Sequence, residues 1–236
     1  MVKKKLPGRV KRVKTGIRGL DELVGGGFVK NSTVLVRGDT GTAKTLFALS
    51  YLYNGAKKYD EPGVFVTLSE TEESIIEHGK MFGWDLEKLI EDEMLSIVRF
   101  EPHEIANMVR EGGGSMYDTI ESLEAKRLVI DCLSAYELVF ENAYKATISF
   151  RDLFEMLKDK EVTSIVTSES SVTPENERRE KHGYLTDTII NLYSVRERAK
   201  KYRALEVVKM RHTQHDEKIN KFSIDKKGIK IRSGRR

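Results

Sequence analysis

Short apolar runs alternate along the chain with longer stretches whose apolar residues recur at three- and four-residue intervals. The runs are rich in β-branched residues, as is typical of strands buried on both faces, and the alternation predicts parallel βαβ units. The predicted parallel strands are Thr33–Arg37, Gly63–Leu68, Leu95–Val98, Arg127–Asp131 and Val162–Thr167. The predicted helices are Lys44–Lys57, Thr71–Met81, Met116–Ala125 and Ile148–Lys158.

After about residue 187 the helical spacing stops. Four further strands are predicted without crossover helices, a pattern that favours antiparallel additions at the edge of a parallel sheet. They are Thr188–Val195, Ala204–Lys209, Lys221–Ile224 and Ile229–Ile231. The prediction is one α/β domain over residues 15–231, with a mostly parallel sheet, helices on both faces and antiparallel strands at the C-terminal edge.

Composition narrows the class of protein. With 236 residues and 39% hydrophobic content, the chain fits one large domain with a full core. Cys132 is the single cysteine, which excludes an internal disulfide and a cysteine-based zinc cage. No apolar run approaches the roughly 18 residues that span a bilayer, and no apolar segment follows the basic N-terminus, so we expect a cytoplasmic protein with no membrane partner.

The net charge of +4 is unevenly distributed. Residues 1–14 hold seven Lys or Arg and no acid, and residues 226–236 hold six and no acid, which leaves −9 for the stretch between them. We therefore predict a basic N-terminal arm over residues 1–14 and a basic tail over residues 232–236. Such arms either contact nucleic-acid phosphates or stay solvated, and solvated ends are the commoner case.

A phosphate-binding loop is predicted between the first parallel strand and its helix. The segment follows the pattern G-x-x-x-x-G-K-[ST] in all but one place, and its backbone N–H groups would point at phosphates with a helix N-terminus behind them. Lys44 would reach the β and γ phosphates, and the Thr45 hydroxyl would ligate Mg²⁺. The eight residues are Gly38, Asp39, Thr40, Gly41, Thr42, Ala43, Lys44 and Thr45.

The departure from the pattern is Ala43, which stands where the second glycine is expected. An alanine costs nothing there if its φ is helix-like, and it is strained if φ is positive. The phrase GDTGTAKT resembles the GDPGTAKS loop of MCM helicases, which are ATPases with alanine at this place. We therefore expect the loop to tolerate Ala43.

Asp131 ends the strongly apolar run RLVID, as a Walker B aspartate does. Its carboxylate could hold a Mg²⁺-bound water facing Thr45. An aspartate capping a loop after a strand is common by itself, and the phosphate loop is what favours the metal role. The predicted cofactors are ATP or ADP with Mg²⁺; no motif reads the base, so GTP stays open.

Several segments resemble a known family. TGIRGLDELVGGGF, which begins at Thr15, resembles the entry segment shared by RadA-like and KaiC-like ATPases. Two later stretches resemble KaiC, the ATPase of the cyanobacterial clock, and its archaeal relatives. They run from residue 52 through EPGVFVT to FGWDL, and from LTDTII through VKMRHTQH to residue 224. The resemblance implies a RecA-like ATP-binding domain, and KaiC itself carries two such domains in tandem.

The resemblance also implies a hexameric ring with nucleotide between neighbouring subunits. It assigns Lys209 and Arg211 to the adjacent subunit's triphosphate, with His215 nearby. Cations at a strand end can stabilise a γ-phosphate in trans, although from spacing alone a solvated strand end is the commoner case. Neither cation has an evident role within one subunit, which is the motive for predicting a ring.

The residues for hydrolysis depart from the family pattern. KaiC closes its second strand with FVTFEET, and the paired glutamates activate the attacking water; this chain reads FVTLSET, with Ser69 before Glu70. In the family order the strand Val64–Leu68 would lie beside the phosphate-loop strand. Glu70 is then the predicted catalytic base, assisted by Lys44, and losing one glutamate predicts slow turnover.

Self-phosphorylation is not expected. KaiC carries an adjacent Ser-Thr pair just before its ITDTII segment, and Gly183 and Tyr184 stand at the matching positions here. Tyr184 or Thr186 could accept phosphate in principle, but an ordinary loop tyrosine is the commoner case.

Three functions remain in competition. The first is an oligomeric ATPase that switches with nucleotide state and signals to an unknown regulatory protein. The second is a nucleotide-dependent scaffold with negligible hydrolysis, suggested by Ser69. The third is a RecA- or RadA-type DNA-handling ATPase. Recombinases bind DNA through loops after the later strands of the sheet, here Glu169–Tyr184, but this segment holds four acids against three Lys or Arg, so nucleic acid is not an expected partner of the protein.

Overall fold

A computed structural model describes residues 10–174, 182–198 and 200–232. Two strands, β1 (Arg12–Val13) and β2 (Phe28–Val29), form a small antiparallel pair near the N-terminus. The parallel strands are β3 (Thr33–Gly38), β4 (Gly63–Thr67), β5 (Leu95–Arg99), β6 (Arg127–Asp131), β7 (Thr163–Glu169) and β8 (Thr188–Glu197). The last three strands are β9 (Lys200–Met210), β10 (Asn220–Asp225) and β11 (Gly228–Ile231).

Eight helices are found in the described residues. The first four are α1 (Leu20–Leu23), α2 (Lys44–Tyr59), α3 (Glu72–Lys80) and α4 (Leu86–Glu91). The others are α5 (Pro102–Glu111), α6 (Ser115–Ser122), α7 (Leu133–Glu137) and α8 (Ala143–Asp159). A short 3-10 turn follows at Gly183–Leu185.

The main sheet has nine strands in the order β11-β10-β9-β8-β3-β7-β6-β4-β5. The strands from β8 to β5 in this order are parallel to their neighbours, and β9, β10 and β11 continue the sheet as antiparallel strands. The predicted fold class is therefore confirmed. Helices cover both faces because alternate side chains of each strand point to opposite sides.

Two hydrophobic cores result from this alternation. Val34 and Val36 of β3 pack with α2, α3 and α4 on one face, whereas Leu35 packs with the helices from α5 to α8 on the other. All three side chains are at most 2% exposed. Burial of a side chain of this size contributes about 1.5–3 kcal/mol, so both layers hold the strands that carry the site.

The C-terminal end of the predicted basic arm joins the folded domain. Arg12 and Val13 pair with β2, and the carbonyl oxygen of Lys14 accepts a hydrogen bond of 2.8 Å from the guanidinium of Arg127. Arg127 is fully buried and bonds Glu61 through two nitrogens, at 2.5 and 2.8 Å. This buried cation fixes the N-terminal segment to the start of β6. The first nine residues of the arm and the predicted tail beyond Arg232 lie outside the described residues.

Candidate nucleotide site

The predicted phosphate loop connects β3 to α2, at the carboxyl edge of the parallel strands. The loop is closed by its own groups: Thr42 donates from its amide and its hydroxyl to the carbonyl oxygen of Asp39, at 3.2 and 2.8 Å. The amide of Thr40 donates to the Asp39 carboxylate at 2.8 Å. Gly38 could not be replaced without strain, since an added Cβ would lie 2.4 Å from the carbonyl oxygen of Leu192. The loop is thus held in one shape.

Lys44 is directed into this loop. Its side chain is 9% exposed, and Nζ donates to the carbonyl oxygens of Gly38 and Asp39 at 3.0 and 3.2 Å. An ammonium ion at the centre of the loop is where the charge of a bound polyphosphate would be neutralised.

Ala43 has the backbone of a glycine. Its φ and ψ are 78° and 37°, in the left-handed region, and it precedes the first residue of α2. Of the two cases considered for Ala43, the structure therefore shows the strained one with positive φ, and not the helix-like φ at which an alanine costs nothing. The loop keeps its shape because the neighbouring residues fix it, and Ala43 bears the strain that a Cβ brings to this region.

Thr45 and Asp131 lie together at the mouth of the loop. The Thr45 hydroxyl donates to Oδ2 of Asp131 at 2.6 Å, and the Thr167 hydroxyl donates to Oδ1. Burial raises the pKa of Asp131, and the two hydroxyl donors oppose that shift while the charge of Glu70 adds to it. Burial therefore disfavours the ionised form of Asp131, and a bound cation would stabilise it. This is the property expected of a metal-binding aspartate.

Glu70 reaches the site by a different route from the one expected. The prediction that the strand Val64–Leu68 lies beside the phosphate-loop strand is wrong, because β7 and β6 lie between β3 and β4. Thr67 is instead paired with Asp131, and the chain bends immediately afterwards. The bend is closed by the Thr67 hydroxyl, which accepts from the amide of Glu70 at 3.0 Å and donates to its carbonyl at 2.9 Å.

The bend turns Glu70 out of strand geometry and into the site. Its carboxylate accepts a hydrogen bond of 2.7 Å from Ser74 and lies 3.7 Å from Nε2 of His78. Ser69 lies beside it on the wall of the same cavity, which encloses about 290 Å³. The cavity is lined by Thr40, Gly41, Ala43, Lys44, Thr45, Ser69, Glu70, Asp131, Cys132 and Glu169. Five of the six residues from Thr40 to Thr45 are therefore brought together with Asp131 and Glu70.

Three residues of the site were not predicted, and one of them is Cys132, which lines the cavity directly after Asp131. Glu169, at the end of β7, accepts a hydrogen bond of 3.0 Å from the hydroxyl of Thr40, and Thr167 holds the Asp131 carboxylate. Both lie on the strand next to β3. The change from apolar to polar residues at the end of the run VTSIVTSE was the signal, since the carboxyl ends of parallel strands carry ligand sites.

Lys209 and Arg211 have partners inside their own subunit. Lys209 Nζ donates to the carbonyl oxygens of Gly183 and Thr186 at 3.1 and 2.6 Å. Arg211 donates to the carbonyl oxygen of Tyr184 at 3.0 Å and pairs with Asp187 at 3.4 Å. The statement that these cations have no evident role within one subunit is therefore wrong.

Both cations hold the turn before β8. Burial lowers the pKa of Lys209, and the neighbouring charge of Arg211 lowers it further.

His215 lies half-buried in the connection between β9 and β10. Tyr184 is 60% exposed, and the Thr186 hydroxyl donates to the carbonyl of Gly183 at 3.0 Å. Of the acidic segment considered for DNA, residues 175–181 lie outside the described residues.

A strained loop between strand and helix, a lysine inside it and a hydroxyl–carboxylate pair at its mouth define a P-loop domain, and the sheet is of the RecA-like kind. The family model described as "ATPase: KaiC" matches residues 13–236. The chain belongs to the KaiC family.

Individual relatives agree with this assignment. The circadian clock oscillator proteins KaiC of Parathermosynechococcus lividus and Synechococcus elongatus are 35% and 33% identical, each over 94% of this chain. The chain spans less than half of each, 42% and 44%. A solved structure of a KaiC-like protein from the hyperthermophilic archaeon Pyrococcus horikoshii has a TM-score of 0.85 and 36% identity, and the match covers 95% of this chain and 100% of that one. No helix among the described residues has the length and apolarity to span a bilayer.

Proposed function

We propose that the protein binds ATP with Mg²⁺, hydrolyses it slowly and acts as an oligomeric switch whose nucleotide state is read by a regulatory protein. The observation that carries the proposal is the hydrogen bond between Thr45 and Asp131 beside the buried amine of Lys44. These three groups are what a P-loop needs to bind a triphosphate and its metal ion.

The donor set fits Mg²⁺. A hydroxyl and a carboxylate are hard oxygen ligands, and Mg²⁺ keeps several waters and takes phosphate oxygens as further ligands. Among the described residues no group of three or more His, Cys, Asp or Glu could hold a metal by itself. Thr45 would bind the ion directly and Asp131 through a water, and the ion would neutralise charge on the phosphates. Lys44 would then exchange its carbonyl partners for phosphate oxygens.

Glu70 is the residue that would act as the base in hydrolysis. A water attacking the γ-phosphate needs an acceptor aimed at it, and a positioned base typically contributes about 10²–10⁴-fold in rate. Glu70 lines the cavity, whereas the Ser69 hydroxyl can orient a water but cannot take its proton at neutral pH. The hydrogen bond from Ser74 holds the carboxylate near α3, beside the imidazole of His78, so it must turn to reach a water. Slow turnover follows from one tethered carboxylate.

Self-association is the part of the proposal supported by the family. Arg211 is 45% exposed and Lys209 is half-buried, so both could exchange the turn at Gly183–Leu185 for a neighbour's phosphates. We propose a ring, most simply a hexamer, with nucleotide between subunits. The proposal includes neither a membrane partner nor self-phosphorylation, since Gly183 and Tyr184 replace the acceptor pair.

One alternative has an observation in its favour. Because Ser69 replaces the first glutamate, the protein could be a nucleotide-dependent scaffold that does not hydrolyse ATP. Steady-state ATP hydrolysis by the wild type, Glu70→Gln and Ser69→Glu separates the two. Glu72→Gln is the matched control, since it removes an exposed carboxylate two residues away. We expect slow hydrolysis that Glu70→Gln abolishes, Glu72→Gln keeps and Ser69→Glu raises.

No hydrolysis in the wild type but strong nucleotide binding would establish the scaffold instead. A rate that Glu70→Gln leaves unchanged would show that the base lies elsewhere. The same assay with single-stranded DNA tests the recombinase alternative, which predicts strong stimulation.

A further inference from the structure

Charge is segregated in this fold. Residues 15–195 carry 32 Asp or Glu against 19 Lys or Arg, whereas residues 196–232 carry five acids against 13 Lys or Arg. The second stretch contains β9, β10 and β11, the antiparallel edge of the sheet. The net negative charge therefore lies in residues 15–195, and the C-terminal strands carry a basic surface that the nucleotide site does not use.

Three of these cations share one face of the edge. Phe222 and Ile231 are paired across β10 and β11 and point into the core. Their neighbours Lys221, Lys230 and Arg232 therefore point to the opposite face, and all three are exposed. We call this surface, with Tyr202 of β9, the basic face.

The placement of these cations next to one another lowers the stability of the fold when no anion is bound. Arg232 donates from its amide to the carbonyl of Lys221 at 2.9 Å, which sets the two cations opposite each other one step beyond the Phe222–Ile231 pair. Like charges directly opposite each other in a sheet repel. Within the described part of the chain, no ion pair joins Lys221, Lys230 or Arg232 to a carboxylate. An external anion would relieve this repulsion.

The two carboxylates that β9 and β10 carry are already engaged. Glu206 of β9 accepts from the hydroxyl of Tyr193, and Asp225 of β10 pairs with Arg18 at 2.6 Å. Hydrogen bonds from Arg18 and from the amide of Lys227 lower the pKa of Asp225 to about 2, so this carboxylate stays charged and bound. The acidic part of the chain differs, because Lys80, Lys88 and Lys145 each pair with a carboxylate there.

An aromatic ring lies among the cations. The ammonium of Lys221 is 4.0 Å from the centre of the Tyr202 ring, which is half-buried. Alternate residues of a strand are roughly 7 Å apart and neighbouring strands about 4.8 Å apart, spacings close to those between successive phosphates of an extended strand. Cations that follow a backbone beside a ring that can stack a base are the elements of single-strand binding.

We propose that the basic face binds single-stranded nucleic acid through its phosphates, without reading sequence. Lys221, Lys230 and Arg232 contact successive phosphates, and Lys221 leaves the Tyr202 ring so that one base stacks in its place. The inference is independent of the proposed ATPase. It departs from the expectation that nucleic acid is not a partner, because that expectation was drawn from Glu169–Tyr184 and not from the C-terminal strands.

The test is binding of a fluorescein-labelled oligothymidylate to the full chain, measured by anisotropy over a range of salt concentrations. The test variant is Lys221→Gln/Lys230→Gln/Arg232→Gln. The matched control is Lys80→Gln/Lys88→Gln/Lys145→Gln, which removes the same charge from the acidic part of the chain. Because each phosphate contact on a single strand contributes about 0.7 to the slope of log Kd against log salt, the test variant should lose about 2 from that slope and the control nothing.

Other outcomes decide against the proposal. An unchanged slope in the test variant, or an equal loss in the control, would overturn it. Polyglutamate bound as tightly as the oligonucleotide would assign the basic face to an acidic protein. Salt-sensitive self-association that the test variant loses, without oligonucleotide binding, would assign it to a second copy of the chain. Lys221→Arg/Lys230→Arg should keep binding, and Mg·ATP affinity should be equal in all variants, which separates this test from that of the ATPase.

Discussion

The hydroxyl of Thr45 donates a hydrogen bond of 2.6 Å to the carboxylate of Asp131, and this contact joins the start of α2 to the end of β6 across 86 residues of sequence. In the sheet, β7 lies between β6 and β3, the strand that leads into α2, and Thr167 of β7 donates to the other oxygen of the same carboxylate. The acid is thus held by two hydroxyls in a buried place where its charge is disfavoured.

Asp131→Asn should therefore stabilise the nucleotide-free protein and at the same time weaken its binding of Mg·ATP. Because burial raises the pKa of Asp131, its ionised form at neutral pH opposes folding, and the neutral amide should raise the melting temperature of the nucleotide-free protein. The same change removes the carboxylate proposed to hold a water of the Mg²⁺ ion, so Mg²⁺-dependent ATP affinity should fall roughly 10–100-fold. Thermal unfolding with and without Mg·ATP checks both effects, with the exposed Asp118→Asn as control. A lower melting temperature without nucleotide would contradict the account of this carboxylate.

Ala43→Gly should stabilise the protein. A non-glycine residue in the left-handed region costs about 1–2 kcal/mol, part of which is offset because glycine has more freedom in the unfolded chain. We expect a gain of about 0.5 kcal/mol in the free energy of unfolding. Ala56→Gly, inside α2, should instead lose about 1 kcal/mol. Urea unfolding of both variants measures this, and destabilisation by Ala43→Gly would show that the alanine methyl group makes a contact worth more than the strain.

Self-association should depend on nucleotide. Light scattering of the full chain with and without Mg·ATP should show a larger particle when nucleotide is present, because the proposed ring places nucleotide between subunits. A monomer in both conditions would refute the ring.

Mixing two inactive variants tests whether Lys209 acts on a neighbour. Lys44→Ala should abolish a subunit's own site, and Lys209→Gln should impair the site of the next subunit. A mixture should regain part of the activity, because some interfaces combine an intact Lys44 with an intact Lys209. No recovery would mean that Lys209 serves only the turn at Gly183–Leu185 of its own subunit, where the structure places it.

Local patterns predicted most of the fold. The strand Arg127–Asp131 has the predicted bounds, and α2 begins at Lys44 as predicted, because apolar runs and helical spacing are properties of neighbouring residues. The helix α5 was missed although Glu101 and Glu104 form a capping box with Pro102 at the first position, which is a recognised start signal.

The order of the strands in the sheet and the partners of the side chains could not be predicted from local patterns. Whether β4 lies beside β3 depends on pairing between distant segments, and no local pattern reports it. For the same reason no local pattern indicated that Lys209 and Arg211 bond the turn before β8. The phosphate loop was predictable because its chemistry is contained in eight consecutive residues. The carboxylates around it come from distant segments: Asp131 and Glu169 end β6 and β7, and Glu70 lies in the bend after β4.

Lys44 is the residue proposed to bind the phosphates of ATP. Calorimetric titration of Mg·ATP into the full chain measures this binding, with Lys57→Ala as the control because Lys57 is an exposed lysine of the same helix. The account predicts that the wild type and Lys57→Ala bind Mg·ATP with the same affinity and that Lys44→Ala, while folded, shows no measurable binding. Equal affinity in Lys44→Ala and the wild type would contradict the nucleotide site described for this loop.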